Sequence, residues 1–406
     1  MSTNLVRVGP TPAPPWASSS RLAELDRKEG ENFTEAEYAR RMKRVTEEME
    51  AHKVDALLVF RPSSVEYVCG FHNVAEPIPI PVLLTQGRTV LSLLEFEAGN
   101  AVVSSNADKV LFHSRAEDGL ELLLEELVAA VGPGARVGLE FGFPWVPPQV
   151  VLSLQSKGFE IVDAPIVELV RLVLSEEEIA CMRTAATITG RGIEAAKRAA
   201  ADPGATDSSI AAEIRYELTK DADSLTGLDV IVAAGWSGGI AHSNWGNRPI
   251  DRSLPVVLEF SGAHHRYSAP VMRTLSYGEL TGEAKRLNEL ATLSEELLLS
   301  ELKVGRRCSD VARAVTAGLG EVDDWVLFHY VYGYPIGLSH PPTWMDGYSF
   351  YLSEQNDGII EENMAFHCPA SFRSWGKMGI CFSNTLLMTA DGPEVLTPQP
   401  SGVIHV

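Results

Sequence analysis

Residues 169–406 run through one order of elements twice, and that repetition narrows the folds open to this chain. Ser175 is placed to cap a long helix, with Glu176, Glu177 and Glu178 at its positive end. A second amphipathic helix follows in TDSSIAAEIRYELTK (206–220), then strand-like LDVIVAAG (228–235) and PVVLEFSG (255–262). The order then repeats: helices over 280–302 and 308–322, and strand-like runs at 326–333, 364–370 and 380–389. Helix, helix, strands, twice over, predict an α+β domain that repeats its own architecture.

The preceding residues alternate differently. Thr34 and Glu37 form a capping-box pattern at the head of a helix over 33–54, and Tyr38, Met42, Val45 and Met49 recur at helical spacing. Short apolar runs at DALLVF (55–60), VLLT, TVLSLL and ARVGLEFG (135–142) read as strands, and GLELLLEELVAAVG (119–132) as a helix, which is an α/β pattern. The run beginning at Val167 reads as strand-like. The chain is therefore expected to comprise an N-terminal arm (1–32), rich in Pro and Ser, a smaller α/β domain (33–168) and a larger α+β domain (169–406).

Composition excludes some functions. A net charge of −20 argues against nucleic-acid or anionic-membrane partners. No run of about 18 apolar residues is present, so no transmembrane helix is expected, and the N-terminus lacks a signal-peptide pattern. The five cysteines show no CxxC spacing and suit buried thiols in a reducing, cytoplasmic setting.

Five segments carry the chemistry: AAGWSGGIAHSNWG (233–246), VVLEFSGAHHRYSAPVMRT (256–274), GYPIGLSH (333–340), MAFHCPA (364–370) and GICFSNT (379–385). His242 is an imidazole able to take and return a proton near neutrality. Glu259 is a carboxylate in an otherwise apolar strand. His264, His265 and Arg266 fall at a hairpin tip, where solvent exposure is expected.

In their order and spacing these segments resemble the creatinase/prolidase-type pita-bread hydrolases across residues 33–400. The resemblance implies a pita-bread catalytic domain behind a creatinase-type N-terminal domain, and a homodimer in which one subunit's N-terminal domain covers its partner's site. In the metal-using members, five side chains hold two divalent cations: two Asp, a His and two Glu. The matching positions here are Glu259, Pro270, Tyr334, Pro369 and Ser383, and one of the five is a carboxylate. Proline offers no ligand atom, and a stable divalent site needs several convergent donors, so no metal and no other cofactor is expected.

The chain is most similar to the metal-free branch, whose members include creatinase and ectoine hydrolase. That similarity implies hydrolysis of a C–N bond in a small polar amidine or amide, ectoine-like first. A creatinase-like amidinohydrolase acting on a guanidino compound, a lyase and a non-catalytic binding protein are the alternatives. The catalytic candidates are His242 as acid and base, Glu259 as nucleophile or amidinium partner, and His340, which matches a substrate-binding histidine of the family. Tyr334, Arg273, His367 and Phe71 are the substrate-binding candidates. Arg273 is expected either to read a substrate carboxylate or to pair with Glu259. Creatinase holds its substrate carboxylate with an arginine whose place falls on or near Ile78, in a loop that offers Phe71, His72 and Glu76 instead.

Overall fold

A computed structural model describes residues 4–7, 25, 32–72, 79–142, 145–345, 350–398 and 400–406. It separates into two compact units, Met1–Arg171 and Leu172–Val406.

In the first unit the elements are β1 (Asn4–Arg7), α1 (Glu35–Ala51), β2 (Ala56–Val59), α2 (Pro62–Cys69), β3 (Val82–Thr85), β4 (Arg88–Leu94), α3 (Ala98–Ser104), β5 (Lys109–His113), α4 (Ala116–Val131), β6 (Arg136–Leu139), α5 (Pro148–Ser156), β7 (Glu160–Asp163) and α6 (Ile166–Val170). The strands form one mixed sheet in the order β1-β5-β4-β3-β2-β6-β7. Ala56, Leu58, Leu83, Val90, Leu111 and Val137 of the sheet pack with Leu123, Leu124 and Leu127 of α4. Each of the Leu and Val side chains contributes roughly 1.5–3 kcal/mol of burial.

Three expectations need correcting here. Thr34 does cap α1 by accepting from the Glu37 N–H, but the Glu37 carboxylate turns to Arg40 and Arg41 rather than back to the cap. The buried stripe is consequently Glu37, Arg41, Val45 and Met49, with the Arg41 guanidinium lying over the rings of Phe33 and Tyr67. The strand-like run at Val167 is the short helix α6, whose Glu168 pairs with Arg61 at 2.6 Å. The arm is not wholly an arm, because Asn4–Arg7 pair in parallel with Lys109–Phe112.

In the second unit the order is α7 (Glu176–Ala201), α8 (Asp207–Thr219), β8 (Ile231–Ala234), β9 (Val256–His264), β10 (Tyr267–Ser276), then α9 (Gly282–Glu301), α10 (Cys308–Leu319), β11 (Val326–Leu327), β12 (Tyr334–Pro335), β13 (Ala365–Ser374), β14 (Met378–Thr389), β15 (Gly392–Val395) and β16 (Val403–His405). One sheet runs β16-β10-β9-β8; the other runs β11-β13-β14-β15, with β12 also on β13. The expected 326–333 strand is cut to Val326–Leu327, and a second short strand, Tyr334–Pro335, begins just beyond it.

Strand alternation separates two faces. Leu258, Phe260, Val271 and Leu275 join Ile188, Ile193, Ile210 and Ile214 in the core under α7 and α8. Val257 and Met272 turn the other way and meet Cys381 of β14. The two sheets are joined by side chains reaching backbone. The Met272 N–H donates to Ser383 Oγ (2.6 Å), Thr274 Oγ1 to the Cys381 carbonyl (2.9 Å) and Thr385 Oγ1 to the Pro270 carbonyl (2.9 Å). Helix α7 is fixed from its first turn. Ser175 and Glu178 form the capping box, and Glu178 Oε1 accepts the Tyr267 phenol proton at 2.6 Å.

Candidate active site

The register places all five positions singled out by the resemblance on the inner faces. Glu259 lies opposite Met272, Ser261 opposite Pro270, Tyr334 opposite His367, and Pro369 opposite Ser383. Both prolines occupy stretches of strand paired on one side, among the described residues, so their missing N–H groups forfeit no second ladder.

Glu259 is 5% exposed, and among the described residues nothing hydrogen-bonds to its carboxylate. Burial pushes its pKa up to about 7, against the pull of the nearby Arg373 guanidinium. Burial raises the pKa of the Tyr334 phenol, and the negative charge of Glu259 raises it further.

The facing strands carry a closed hydrogen-bond chain. Trp344 Nε1–H donates to Tyr334 Oη at 3.0 Å, Tyr334 Oη meets His367 Nδ1 at 2.6 Å, and His367 Nε2 meets Ser383 Oγ at 2.5 Å. Ser383 Oγ also accepts the Met272 N–H. His367 is wholly buried, and burial, assisted by the charge of Arg273, lowers its pKa to about 3. The ring is therefore neutral at physiological pH and carries one N–H. Proton counting then fixes a property of the chain: its two inner links use the imidazole proton and one hydroxyl proton. With the proton on Nδ1, Ser383 donates to Nε2 and the Tyr334 O–H is left to donate elsewhere; with the proton on Nε2, the Ser383 O–H is left instead.

Arg273 does not do what the sequence suggested. Its Nη1 donates to the carbonyls of Met272 and Ser383, and its Nη2 to Asn384 Oδ1 and the Pro398 carbonyl. It sits opposite Leu258, on the face away from Glu259, and burial lowers its pKa to about 10. Every one of these bonds holds backbone or Asn384 in place, so Arg273 is structural rather than a substrate reader or a partner of Glu259.

Arg373 is the residue that sequence reasoning missed. It is buried, donates to the Gly238 carbonyl at 2.5 Å and acts electrostatically on Glu259. Counting in twos from His367 along β13 reaches Pro369, Ser371 and Arg373, so the strand period carried the signal. Gly239 permits the approach of this loop, because a methyl group there would overlap the Ser374 carbonyl.

His242 lies on the turn after the short helix Gly235–Gly239, exposed and with a positive φ of 57°. The atoms crowded round His329 lower its pKa, with Arg373 and His242 adding to the effect, so His242 stands at the open rim of the charged cluster. His340 is buried in a bridge to Thr343. The prolines after it, Pro341 and Pro342, line a cavity of about 440 Å³ together with Ser261 and Ala263, which follow Glu259 on the inner face of β9. Phe71 belongs to the first unit, where it follows the left-handed cap Gly70, and is buried. Glu76 and Ile78 lie outside the described residues.

A two-cation centre does not fit these residues. The five positions supply one carboxylate, one phenol engaged with Trp344 and His367, one hydroxyl engaged with His367 and Met272, and two prolines. Among the described residues, the one group of three or more His, Cys, Asp or Glu ligand atoms that converge is elsewhere.

The sequence matches the profile of metallopeptidase family M24 over residues 180–390 and that of the creatinase/prolidase N-terminal domain over residues 41–173. An uncharacterized hydrolase/peptidase of Sinorhizobium fredii is 26% identical, covering 91% of this chain and 96% of that protein. Ectoine hydrolase of Halomonas elongata is 24% identical, covering 91% and 97%. Among solved structures, the dipeptidase PepE of Mycobacterium ulcerans superposes with a TM-score of 0.78 at 20% identity, covering 92% of this chain and all of that one.

Proposed function

Because the chain belongs to metallopeptidase family M24, with the fold of its creatinase/prolidase-type pita-bread hydrolases, yet keeps one carboxylate among the five family ligand positions, we propose that it is a metal-independent hydrolase of a C–N bond in a small amidine. The observation that carries this reading is the buried Glu259 carboxylate, which has no hydrogen-bond partner among the described residues. A protonated amidine supplies what that carboxylate lacks: two N–H groups matched to its two oxygens, carried on a cation. The positive charge also makes the amidinium carbon electrophilic, which removes the need for a Lewis acid.

Glu259 acts in its ionised form. As electrostatic partner it holds the amidinium for attack by water. As nucleophile, one oxygen bonds to the amidinium carbon and the C=N electron pair moves to nitrogen. His242 then protonates the departing nitrogen as its bond to that carbon breaks. Water adds to the same carbon, returns a proton to His242 and displaces the Glu259 carboxylate, leaving an amide and an amine. Arg373 takes the role the sequence assigned to Arg273, as the buried cation on the substrate side. Tyr334 and His367 stand on the strands that face Glu259, and His340 is assigned to binding substrate. A cytoplasmic homodimer belongs to the same reading.

Ectoine hydrolase among the relatives supports the cyclic amidine as first substrate, with a guanidino compound second. A peptidase is supported by the family profile and by the dipeptidase among the structural neighbours. The deciding experiment is a hydrolysis screen over ectoine, hydroxyectoine, creatine and Xaa-Pro dipeptides, each with and without chelator. Amidine turnover that survives chelation is expected. Dipeptide cleavage dependent on added Mn²⁺, Co²⁺ or Zn²⁺ would overturn the proposal.

A further inference from the structure

The turn between β9 and β10 carries two histidines that the hydrolytic chemistry does not use. The sequence placed His264, His265 and Arg266 in solvent, but both imidazoles are only partly exposed and Arg266 is buried. His265 and Arg266 adopt left-handed backbone, φ 45° and 62°, which sets the two rings side by side with centroids 4.1 Å apart. Both rings turn their Nδ1 atoms to the same oxygen of Asp223, at 2.7 Å from His264 and 3.1 Å from His265.

Asp223 is itself held in place. Its other oxygen accepts the His265 N–H at 3.1 Å and the Ser224 hydroxyl at 3.1 Å, while Ser224 Oγ accepts the Arg266 N–H at 2.9 Å. The loop that brings the carboxylate is thus pinned to the turn that brings the imidazoles, and the three ligand atoms lie within 4.8 Å of one another.

We propose that Asp223, His264 and His265 form a binding site for a divalent transition-metal ion of the Zn²⁺ or Ni²⁺ type, separate from the Glu259 face. Two imidazole nitrogens and one carboxylate oxygen favour these ions over Mg²⁺ or Ca²⁺, which prefer all-oxygen shells. Tetrahedral coordination with arms of about 2.0–2.2 Å sets ligand atoms roughly 3.3–3.6 Å apart. The His264 and His265 spacings of 2.7 and 3.1 Å to the carboxylate oxygen open by about 0.6–0.9 Å and about 0.2–0.5 Å to reach that geometry. Three protein ligands leave one position open. Ser224, next to Asp223, also lines the 440 Å³ cavity, so that position lies beside a space able to hold a second ligand.

The test uses the full chain, stripped with chelator and titrated calorimetrically with ZnCl₂ and with NiCl₂. Saturable binding at a single equivalent is expected, and X-ray absorption of the zinc-loaded protein should show imidazole ligands. The double variant His264→Ala/His265→Ala should lose that binding, and Asp223→Asn should weaken it more than about tenfold, since disturbing even the partners of metal ligands costs 10–100-fold. Thermal melts verify that the variants are folded; should the double variant fail to fold, Asp223→Asn and the absorption spectrum decide. Absence of saturable binding, or binding unchanged in the variants, overturns the site. Amidine hydrolysis assayed on the same samples keeps the two proposals apart. Turnover unchanged in the double variant is expected, whereas turnover that needs added metal in both proteins defeats the hydrolytic proposal without touching this one.

Discussion

The two sheets of the second unit treat buried polar groups in opposite ways. On β9, Glu259 is buried with nothing among the described residues hydrogen-bonded to it, and its pKa rises to about 7. On β13, His367 is as deeply buried but has a hydroxyl on each ring nitrogen, and its pKa falls to about 3. Burial drives both shifts, and it disfavours the charged form in each case. The difference lies in satisfaction: the imidazole is finished as a structural element, whereas the carboxylate, though within the field of Arg373, has no hydrogen-bond partner among the described residues. An unsatisfied buried group of this kind marks where a ligand belongs.

The largest effect should come from substitution on the unsatisfied side. Glu259→Gln is expected to lower kcat/KM on the amidine by about 10²–10⁴-fold or more while leaving the fold intact; full activity would erase the contrast. In the wild type, the acid limb of the pH–rate profile should fall near pH 7 rather than near the ordinary glutamate value, because the ionised form does the work.

On the satisfied side, His367→Ala strands two buried hydroxyls and should cost roughly 2–4 kcal/mol in urea unfolding. The same variant tests the acid side of stability. A histidine whose folded pKa is depressed stabilises the protein above its unfolded value of about 6.5, and that stability is lost as pH falls toward 3, so the variant should lose this dependence.

Glu259 has the reverse sign. Its folded pKa is raised, so its contribution is fully present below about 4.5 and is lost as pH rises through 7. Glu259→Gln should therefore flatten the slope in that window and be the more stable protein at pH 8, by on the order of 3 kcal/mol at about 1.4 kcal/mol per pKa unit. Equal slopes for the two proteins would show that the carboxylate finds a partner after all. The smallest effect is that of Tyr334→Phe, which removes one member of the chain and leaves Trp344 Nε1–H and His367 Nδ1 to find others; about 1–2 kcal/mol is expected from the same unfolding curves.

Much of this was legible in the chain itself. The helix and strand periods gave the doubled order of α7 to β10 and α9 to β14, and the cap at Ser175 fell where the residues placed it. The five inner-face positions could be counted along the sequence because a strand alternates strictly in twos. By the same count Arg373 was within reach of a sequence argument. What local pattern could not supply was partnership. Arg273 and Arg373 both lie within strands and look alike in sequence, yet one guanidinium is spent on the carbonyls of Met272, Ser383 and Pro398, whereas the other donates to the Gly238 carbonyl and acts electrostatically on Glu259. Trp344 and Asp223 lie in loops, and nothing in the period of either segment places one beside Tyr334 or the other between two histidines. The sequence by itself determined which residues face inward, since that depends on backbone periodicity. Only the tertiary structure decided which of those groups are satisfied and which are left open, because that depends on contacts between segments far apart in the chain.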